Sequence, residues 1–344
     1  MFFEIVVVLF AILVFLIVWV LIANWFNGPL TDLTHSMKGK VVVITGGSRG
    51  IGLETTKDLL RQGATVIMGS RDENQAHKAL ESIQNNTHKS HCVFMHLDLT
   101  DYDNINKFVE EVKNKYGKID ILINNAGSCF QNFTLSDGIE LTYFTNHLGH
   151  LILSCLFLDN FNPKGRIINV VTTKYKRIWT RTLDKFTSNS NLDFSYNRKG
   201  YDWMKTYILS KLAGVHLAQY LGDYCTNKKI DIKVVSLHPG FINNYFFREI
   251  EKHSIYWFIR DFLMIPLRWL TFKDNVMGAQ TTLHCCYMEW EKLSNGGYYN
   301  NCRYEQLWSI GLLNNAQKLI AFDKAIIEKN NIVKGDKRVM QIFK

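Results

Sequence analysis

Lys40-Val41-Val42-Val43-Ile44-Thr45-Gly46-Gly47-Ser48-Arg49-Gly50-Ile51-Gly52 joins a β-branched run to a glycine-rich turn. The run reads as a buried parallel strand. Leu53 to Gln62, after the turn, reads as a helix that ends at Gly63. A strand, a glycine turn and a helix together predict a phosphate cradle, because backbone N–H groups and the helix dipole at a helix start favour an anion. Glycine is needed where the backbone turns sharply or where a pyrophosphate comes close. Gly46, Gly50 and Gly52 are spaced four and two apart, which is not the common dinucleotide fingerprint. By itself the turn is equally a tight loop. It gains weight from the rest of the chain.

Working outward, the 344 residues suffice for one large α/β domain or two small ones. Helical and strand patterns alternate without a long linker, which favours one domain. The predicted fold is α/β, a doubly wound Rossmann-type parallel sheet preceded by one N-terminal transmembrane helix. The formal charge of +9 is a modest excess. It fits a solvated basic surface, or contact with anionic lipid or a phosphate cofactor. Nucleic acid is not expected, since no basic block with interleaved aromatics occurs. The seven scattered cysteines form no Cys-x-x-Cys pair. That argues for free thiols in a reducing compartment rather than for disulfides or a zinc site.

Toward the N-terminus, Ile5 to Ala23 is an unbroken apolar run of 19 residues with Trp19, Trp25 and Phe26 at its end. At about 1.5 Å per residue it matches a hydrocarbon layer of roughly 30 Å, and the aromatics suit an interface. A cleaved signal peptide would want a basic start, a shorter core and a small-residue cleavage site. Glu4 is the only charged residue before the run and no good cleavage site follows, so an uncleaved single-pass anchor is expected. Lys38, Lys40 and Arg49 follow it and no Lys or Arg precedes it. The positive-inside tendency then places the folded domain in the cytosol; the endoplasmic reticulum is the expected membrane. The expected layout is an anchor over 1–27, a linker over 28–37, a nucleotide-binding domain over 38–304 and a helical basic tail over 305–344.

Toward the C-terminus, Ala64 to Gly69 reads as a second strand ending at Ser70-Arg71. An acid there would bind a ribose 2′-hydroxyl and favour NAD. None precedes Asp72, and the Arg71 fork suits a 2′-phosphate instead, with Arg49 adding charge. NADP(H) is the expected cofactor. His91 to Leu97 is a third strand, followed by Asp98-Leu99. Asp98 could hold an adenine amino group or cap the helix that starts near Asp101. Ile119 to Ile123 leads into Asn124-Asn125-Ala126-Gly127 at the carboxyl ends of the strands, where ligands bind in such sheets. A long amphipathic helix carrying Asn146-His147-Leu148-Gly149-His150 is expected next. Arg166 to Val171 is a strand running into Thr172-Thr173, and a polar, aromatic segment covers Lys174 to Asp202. Helical character returns at Trp203, and Ile232 to Leu237 precedes His238-Pro239-Gly240.

Tyr207 and Lys211 are four apart on a predicted helix and share a face. A cation near a phenol favours the phenolate and lowers its pKa from about 10. Such a tyrosine can carry the proton that accompanies hydride transfer.

In this order, the glycine turn, Asn124 to Gly127, Asn146, a hydroxyl residue after the Arg166–Val171 strand, Tyr207-x-x-x-Lys211 and Pro239-Gly240 resemble the short-chain dehydrogenase/reductase family, over roughly Lys38 to Cys302. Asn146 to His150, Ser210-Lys211-Leu212-Ala213, Leu237 to Gly240, Gly278 to Cys285 and Gly297-Tyr298-Tyr299 look like its retinol dehydrogenase branch. The resemblance implies a membrane-anchored NADP(H)-dependent oxidoreductase acting on an apolar alcohol or carbonyl. Retinoids come first; steroids and other lipid carbonyls are the alternative, and a low-turnover NADP-binding scaffold is the other class. It implies Tyr207 as general acid/base and Lys211 as the residue that lowers its pKa and holds the ribose. Asn146 would hold a water linking Lys211 to solvent, and Thr172 would bond the substrate oxygen, with Thr173 as substitute. Implied cofactor contacts are Gly46, Ser48, Arg49, Gly50, Ile51, Gly52, Arg71, Asp98, Leu99, Asn125, Ala126, Gly127, Tyr207, Lys211, Pro239 and Gly240. The implied partners are the small substrate, the lipid membrane and a second copy in a homodimer; no metal is implied. Threonine at 172 and Asn243-Asn244 after Pro239-Gly240 depart from the family pattern. The aromatic stretch Tyr245 to Phe272, broken by Pro266, covers the substrate in the family; here it is either a plain core helix or a substrate lid that also touches the membrane. After Cys302, helical periodicity runs from about Ser309 to Glu328.

Overall fold

The computed structural model describes residues 2–31, 35–84, 91–172, 201–240, 242, 273–307 and 312–343. Expectations on Thr173, on Asn243-Asn244, on Tyr245 to Phe272 and on residues 174–200 lie outside the described residues.

The strands are β1 (Val41–Thr45), β2 (Thr65–Ser70), β3 (His91–His96), β4 (Ile119–Asn124), β7 (Phe161–Val170), β8 (Ile232–His238), β9 (Tyr298–Asn300) and β10 (Arg303–Tyr304), with a small hairpin of β5 (Leu135–Ser136) and β6 (Ile139–Glu140) set apart. The main sheet runs β10-β9-β8-β7-β4-β1-β2-β3. It is parallel except for β10 against β9. The strand order reverses between β1 and β4, so Thr45 and Asn124 end the two strands flanking the crevice where such sheets bind ligands. β7 begins earlier than the spacing predicts. Its first residues cross Pro163 and Gly165, and the pairing with β4 jumps from Ile119↔Phe161 to Ile121↔Arg166. A proline without an N–H is accommodated at such an irregularity.

Helices cover both faces, as both-sided apolar strands require. On one face α2 (Gly50–Arg61) packs beside α7 (Asn275–Tyr287), burying Leu59, Leu60 and Leu283 against Val42, Ile44 and Met68. The Tyr287 hydroxyl donates to Asp58 Oδ1 at 2.6 Å and ties the pair together. Arg166 of β7 closes the end of α7, donating to the carbonyls of Cys285, Cys286 and Met288. α3 (Glu73–Gln84) buries Ala79 and Ile83 in the same layer. On the other face lie α4 (Tyr102–Tyr116), α5, α6 (Trp203–Asn227) and α8 (Leu312–Lys329). Here α5 is the continuous run of Leu141–Tyr143, a π turn at Phe144–Leu148 and Gly149–Phe157.

The expected amphipathic character of α5 is corrected by the structure: every residue of Gly149–Phe157 is buried. α4 and α6 flank it, and α8 reaches its first turn, placing Phe322 edge-on to Tyr143 at 6.3 Å. Each fully buried Leu or Ile there contributes about 1.5–3 kcal/mol. α1 (Phe2–Asn27) is the opposite case. Both Glu4–Ile22 and Leu141–Asn160 are long and apolar enough to cross a membrane, yet the first is 0% buried and the second 89%. α1 therefore fits a single N-terminal span, while the second stretch is a core helix. Cys155, Cys225, Cys285 and Cys286 are buried free thiols.

Candidate active site

At the glycine turn, Gly46 has φ +66° and a Cβ there would lie 2.9 Å from Ala126 Cα. A Cβ on Gly52 would lie 2.2 Å from the Gly46 carbonyl oxygen, so only glycine closes this turn. α2 starts at Gly50, three residues before the patterned start, because the turn itself supplies the first helical residues. α4, α6 and α7 begin with Asp101, Asp202 and Asp274, whose carboxylates accept from the N–H groups of Asn104, Lys205 and Met277. α2 begins at Arg49 with extended backbone and no side-chain cap. Its start therefore keeps the donors an anion needs.

Arg49 and Arg71 are both exposed near this turn. Arg71 Nη1 lies 4.0 Å from Asp98 Oδ2. Asp98 Oδ1 accepts from the Thr100 N–H and hydroxyl, while Asp101 caps α4. Of the two alternatives for Asp98, capping thus belongs to Asp101. Ser48 is buried, with Oγ 3.5 Å from Ser70 Oγ. Ile51 is half-buried, and Leu99 is buried with its carbonyl pressed on Gly149.

The Asn125 side chain faces the protein. Its Nδ2 donates to the carbonyls of Thr45 and Gly46 at 2.9 and 3.1 Å, pinning the glycine turn. Thr45 Oγ1 accepts from the N–H groups of Asn125 and Ala126. It also meets His150 Nε2 at 2.9 Å, and His150 Nδ1 lies 3.0 Å from the Asn146 carbonyl. A carbonyl only accepts, so Nδ1 carries the hydrogen and Nε2 accepts a hydrogen bond from the Thr45 hydroxyl. Burial lowers the His150 pKa to about 3, which keeps this ring neutral.

Tyr207 and Lys211 sit one turn apart on α6. Lys211 Nζ donates to the Val170 carbonyl at the end of β7, at 3.0 Å, and burial lowers its pKa to about 8. A Cβ on Gly127 would lie 3.0 Å from that Nζ, so the Asn124–Gly127 turn and α6 meet here. The expected downward shift of Tyr207 is reversed: burial, with Cys129 second, raises its phenol. Lys211 is itself desolvated and bonded to a carbonyl, and burial outweighs it. Asn146 Nδ2 donates to the Ser128 carbonyl and to Ser210 Oγ, and its Oδ1 accepts from the Ser128 N–H. Ser210 Oγ in turn donates to the Tyr207 carbonyl at 2.8 Å. Asn146 thereby ties α5, α6 and the Asn124–Gly127 turn together. Thr172 is buried two residues beyond β7, and Pro239 and Gly240 follow β8 directly, Gly240 at φ +98°.

Behind Lys211 lies a cavity lined by Asn124, Asn146, His147, Asn169 and Ser210 among others. Asn124 Oδ1 and His147 Nδ1 are buried there without a hydrogen-bond partner among the described residues. Sequence reasoning missed Ser128, Asn169 and Asp323 around this centre. Nothing local marks them, since each acts across a distance in the chain. His147 and His150, by contrast, stood in view inside the Asn146 stretch.

Comparison with known proteins gives the family. The family model described as short chain dehydrogenase matches residues 40–180. Retinol dehydrogenase 12 of Bos taurus is 30% identical over 289 residues, covering 82% of this chain and 84% of that protein. Retinol dehydrogenase 11 of Homo sapiens is 29% identical over 291 residues, covering 82% and 83%. The chloroplastic short-chain dehydrogenase TIC 32 A of Brassica napus is 30% identical over 281 residues, covering 79% and 83%. A solved short chain dehydrogenase from Burkholderia cenocepacia in complex with NADP superposes with TM-score 0.56 at 20% identity, over 77% of this chain and 96% of that one. An uncharacterized protein from Mycobacterium paratuberculosis superposes with TM-score 0.65 at 23% identity, over 87% and 98%. At such identity over more than four fifths of its length, the chain belongs to the short-chain dehydrogenase/reductase family, in its retinol dehydrogenase branch.

Proposed function

We propose that this chain is a membrane-anchored, NADP(H)-dependent oxidoreductase that interconverts an apolar alcohol with its aldehyde or ketone, retinol and retinal first. The observation that carries the reading is Lys211, buried beneath the β7 end beside Gly127 and one helical turn from Tyr207. The uncapped start of α2 and the collisions behind Gly46 and Gly52 fit a dinucleotide pyrophosphate. Exposed Arg49 and Arg71, with no acid ending β2, favour a 2′-phosphate. The retinoid preference rests on the names of the relatives and the lipid setting on α1.

A bound nicotinamide nucleotide supplies or accepts the hydride. The chain's own residues manage the proton. A desolvated Tyr207 stays protonated, which is the form that gives its proton to a reduced carbonyl oxygen. Lys211, poised near about 8, stands one turn behind to restore it. Thr172 offers a hydroxyl beside the same strand end for the substrate oxygen. Asn146 holds α5, α6 and the Asn124–Gly127 turn in register.

The test is cofactor turnover by the full chain in lipid vesicles, with NADPH or NADH, over retinals, ketosteroids and long-chain aldehydes. NADPH-dependent reduction of retinal is expected. Turnover of ketosteroids alone would reassign the substrate, and tight NADPH binding without turnover of any of them would favour the scaffold.

A further inference from the structure

Among its described side chains, α8 carries one polar group into the core. Asp323 is wholly buried, on a face otherwise formed by Leu319, Ile320, Phe322, Ile326 and Ile327. Its Oδ1 accepts the Tyr143 hydroxyl at 2.6 Å, and its Oδ2 lies 2.7 Å from His147 Nε2. Tyr143 and His147 are also wholly buried. Buried charge close to a histidine is weak evidence for stability, because an apolar side chain of similar volume commonly serves as well. A carboxylate here therefore calls for another explanation.

Its two partners supply one. Tyr143 immediately precedes the π turn Phe144–Leu148 and His147 lies within it. Asn146 lies between them. The turn is closed by the Gly149 N–H donating back to Phe144, an arrangement that is rare and concentrated at functional sites. A carboxylate accepts both bonds, so His147 Nε2 carries the hydrogen and Nδ1 is left as an acceptor. That Nδ1 is buried without a partner among the described residues, and His147 lines the cavity it shares with Asn146 and Lys211.

We infer that Asp323 is a positioning residue: through Tyr143 and His147 it holds the π turn so that Asn146 and the His147 ring border the cavity behind Lys211, fixing the geometry through which the proton reaches the catalytic centre. The inference rests on the dehydrogenase chemistry proposed above. It gives the C-terminal helix a part in that chemistry as well as in packing.

Asp323→Asn keeps the shape and an acceptor for His147 but removes the charge. In the full chain, reduction with NADPH is followed with substrate and cofactor titrations, melting temperature and the solvent deuterium isotope effect on kcat. The folded variant is expected to lose about tenfold or more in kcat, the scale of a small misplacement at a reacting centre. KM and cofactor affinity should hold while the isotope effect rises. Unchanged kcat and isotope effect per cofactor-binding site, with only a lower melting temperature, would overturn the inference and leave Asp323 a packing residue. If Asp323→Asn does not fold, His147→Gln replaces it under the same criteria. Tyr207→Phe is measured in parallel. If Tyr207→Phe remains active, the dehydrogenase reading falls and this inference with it; if it is inactive while the folded Asp323 variant turns over normally, only this inference falls.

Discussion

At the glycine-turn end of the cleft, α2 starts with no side-chain cap and Arg49 and Arg71 stand in solvent. At the other end Lys211 and Asn146 are buried, and Asn146 has every polar side-chain atom occupied by the protein. Under the proposed function the contrast follows from what each end would do. A phosphate arrives with its own charge, so the protein needs only unclaimed donors and cations around a backbone close enough to touch it. A proton transfer needs fixed geometry and little water, so its groups are held by surrounding structure before any substrate binds. The Asn125 side chain serves the join between the ends: it pins the glycine turn instead of facing the cleft.

The contrast breaks most readily at Tyr207. Tyr207→Phe is expected to lower kcat by about 10²–10⁴-fold, the range for loss of a general acid, with NADPH affinity nearly intact. Retention of more than about a tenth of wild-type kcat would remove Tyr207 from the chemistry.

Within the glycine turn, two substitutions sharpen it. Gly52→Ala drives a Cβ into the Gly46 carbonyl at 2.2 Å, whereas the nearest atom to a Cβ on Gly50 is 3.8 Å away. Gly52→Ala should cost about 1–3 kcal/mol or more by overpacking and abolish cofactor binding. Gly50→Ala should cost about 1–2 kcal/mol for its left-handed backbone and leave weak binding. Melting curves and cofactor titrations rank the two, and equal binding losses would mean that strain, and not closeness to Gly46, controls the turn.

Arg71→Ala tests the charged rim. One charge-assisted contact is worth about 1.5–3 kcal/mol, which predicts about ten- to hundredfold weaker NADPH binding. NADH binding should barely change. Parallel losses for both cofactors would detach Arg71 from the 2′-phosphate.

The smallest effect is on pH. Lys211, lowered to about 8 by burial, is protonated below that value and loses its proton as pH rises through it. The reductive kcat should therefore decline by a few-fold above about 8, and the oxidative kcat should rise over the same range. A pH profile in which the decline waits until the ordinary lysine range would show that Lys211 is hydrated during turnover.

Sequence periodicity and spacing carried the sheet, the glycine turn and the Tyr207–Lys211 pair, and the resemblance of the motifs carried the family. These signals are local: β-branched runs fold as buried strands, and a four-residue spacing on a helix makes neighbours whatever else the chain does. Local signals could not separate the two apolar segments. Glu4–Ile22 and Leu141–Asn160 pass the same length and composition test, yet one is bare and the other is a core helix. The difference lies in what covers them, and for α5 the cover includes α8, whose Asp323 is 176 residues away from His147. The direction of the Tyr207 shift was likewise out of reach. A cation at helical spacing predicts a lower pKa, while burial, with Cys129 second, raises it. Composition and short-range spacing thus determined which groups this protein has for the proposed nucleotide binding and proton transfer. Only the tertiary structure decided which of them are desolvated, which are held, and which helix holds them, because burial and long-range hydrogen bonds depend on residues that no sequence window contains.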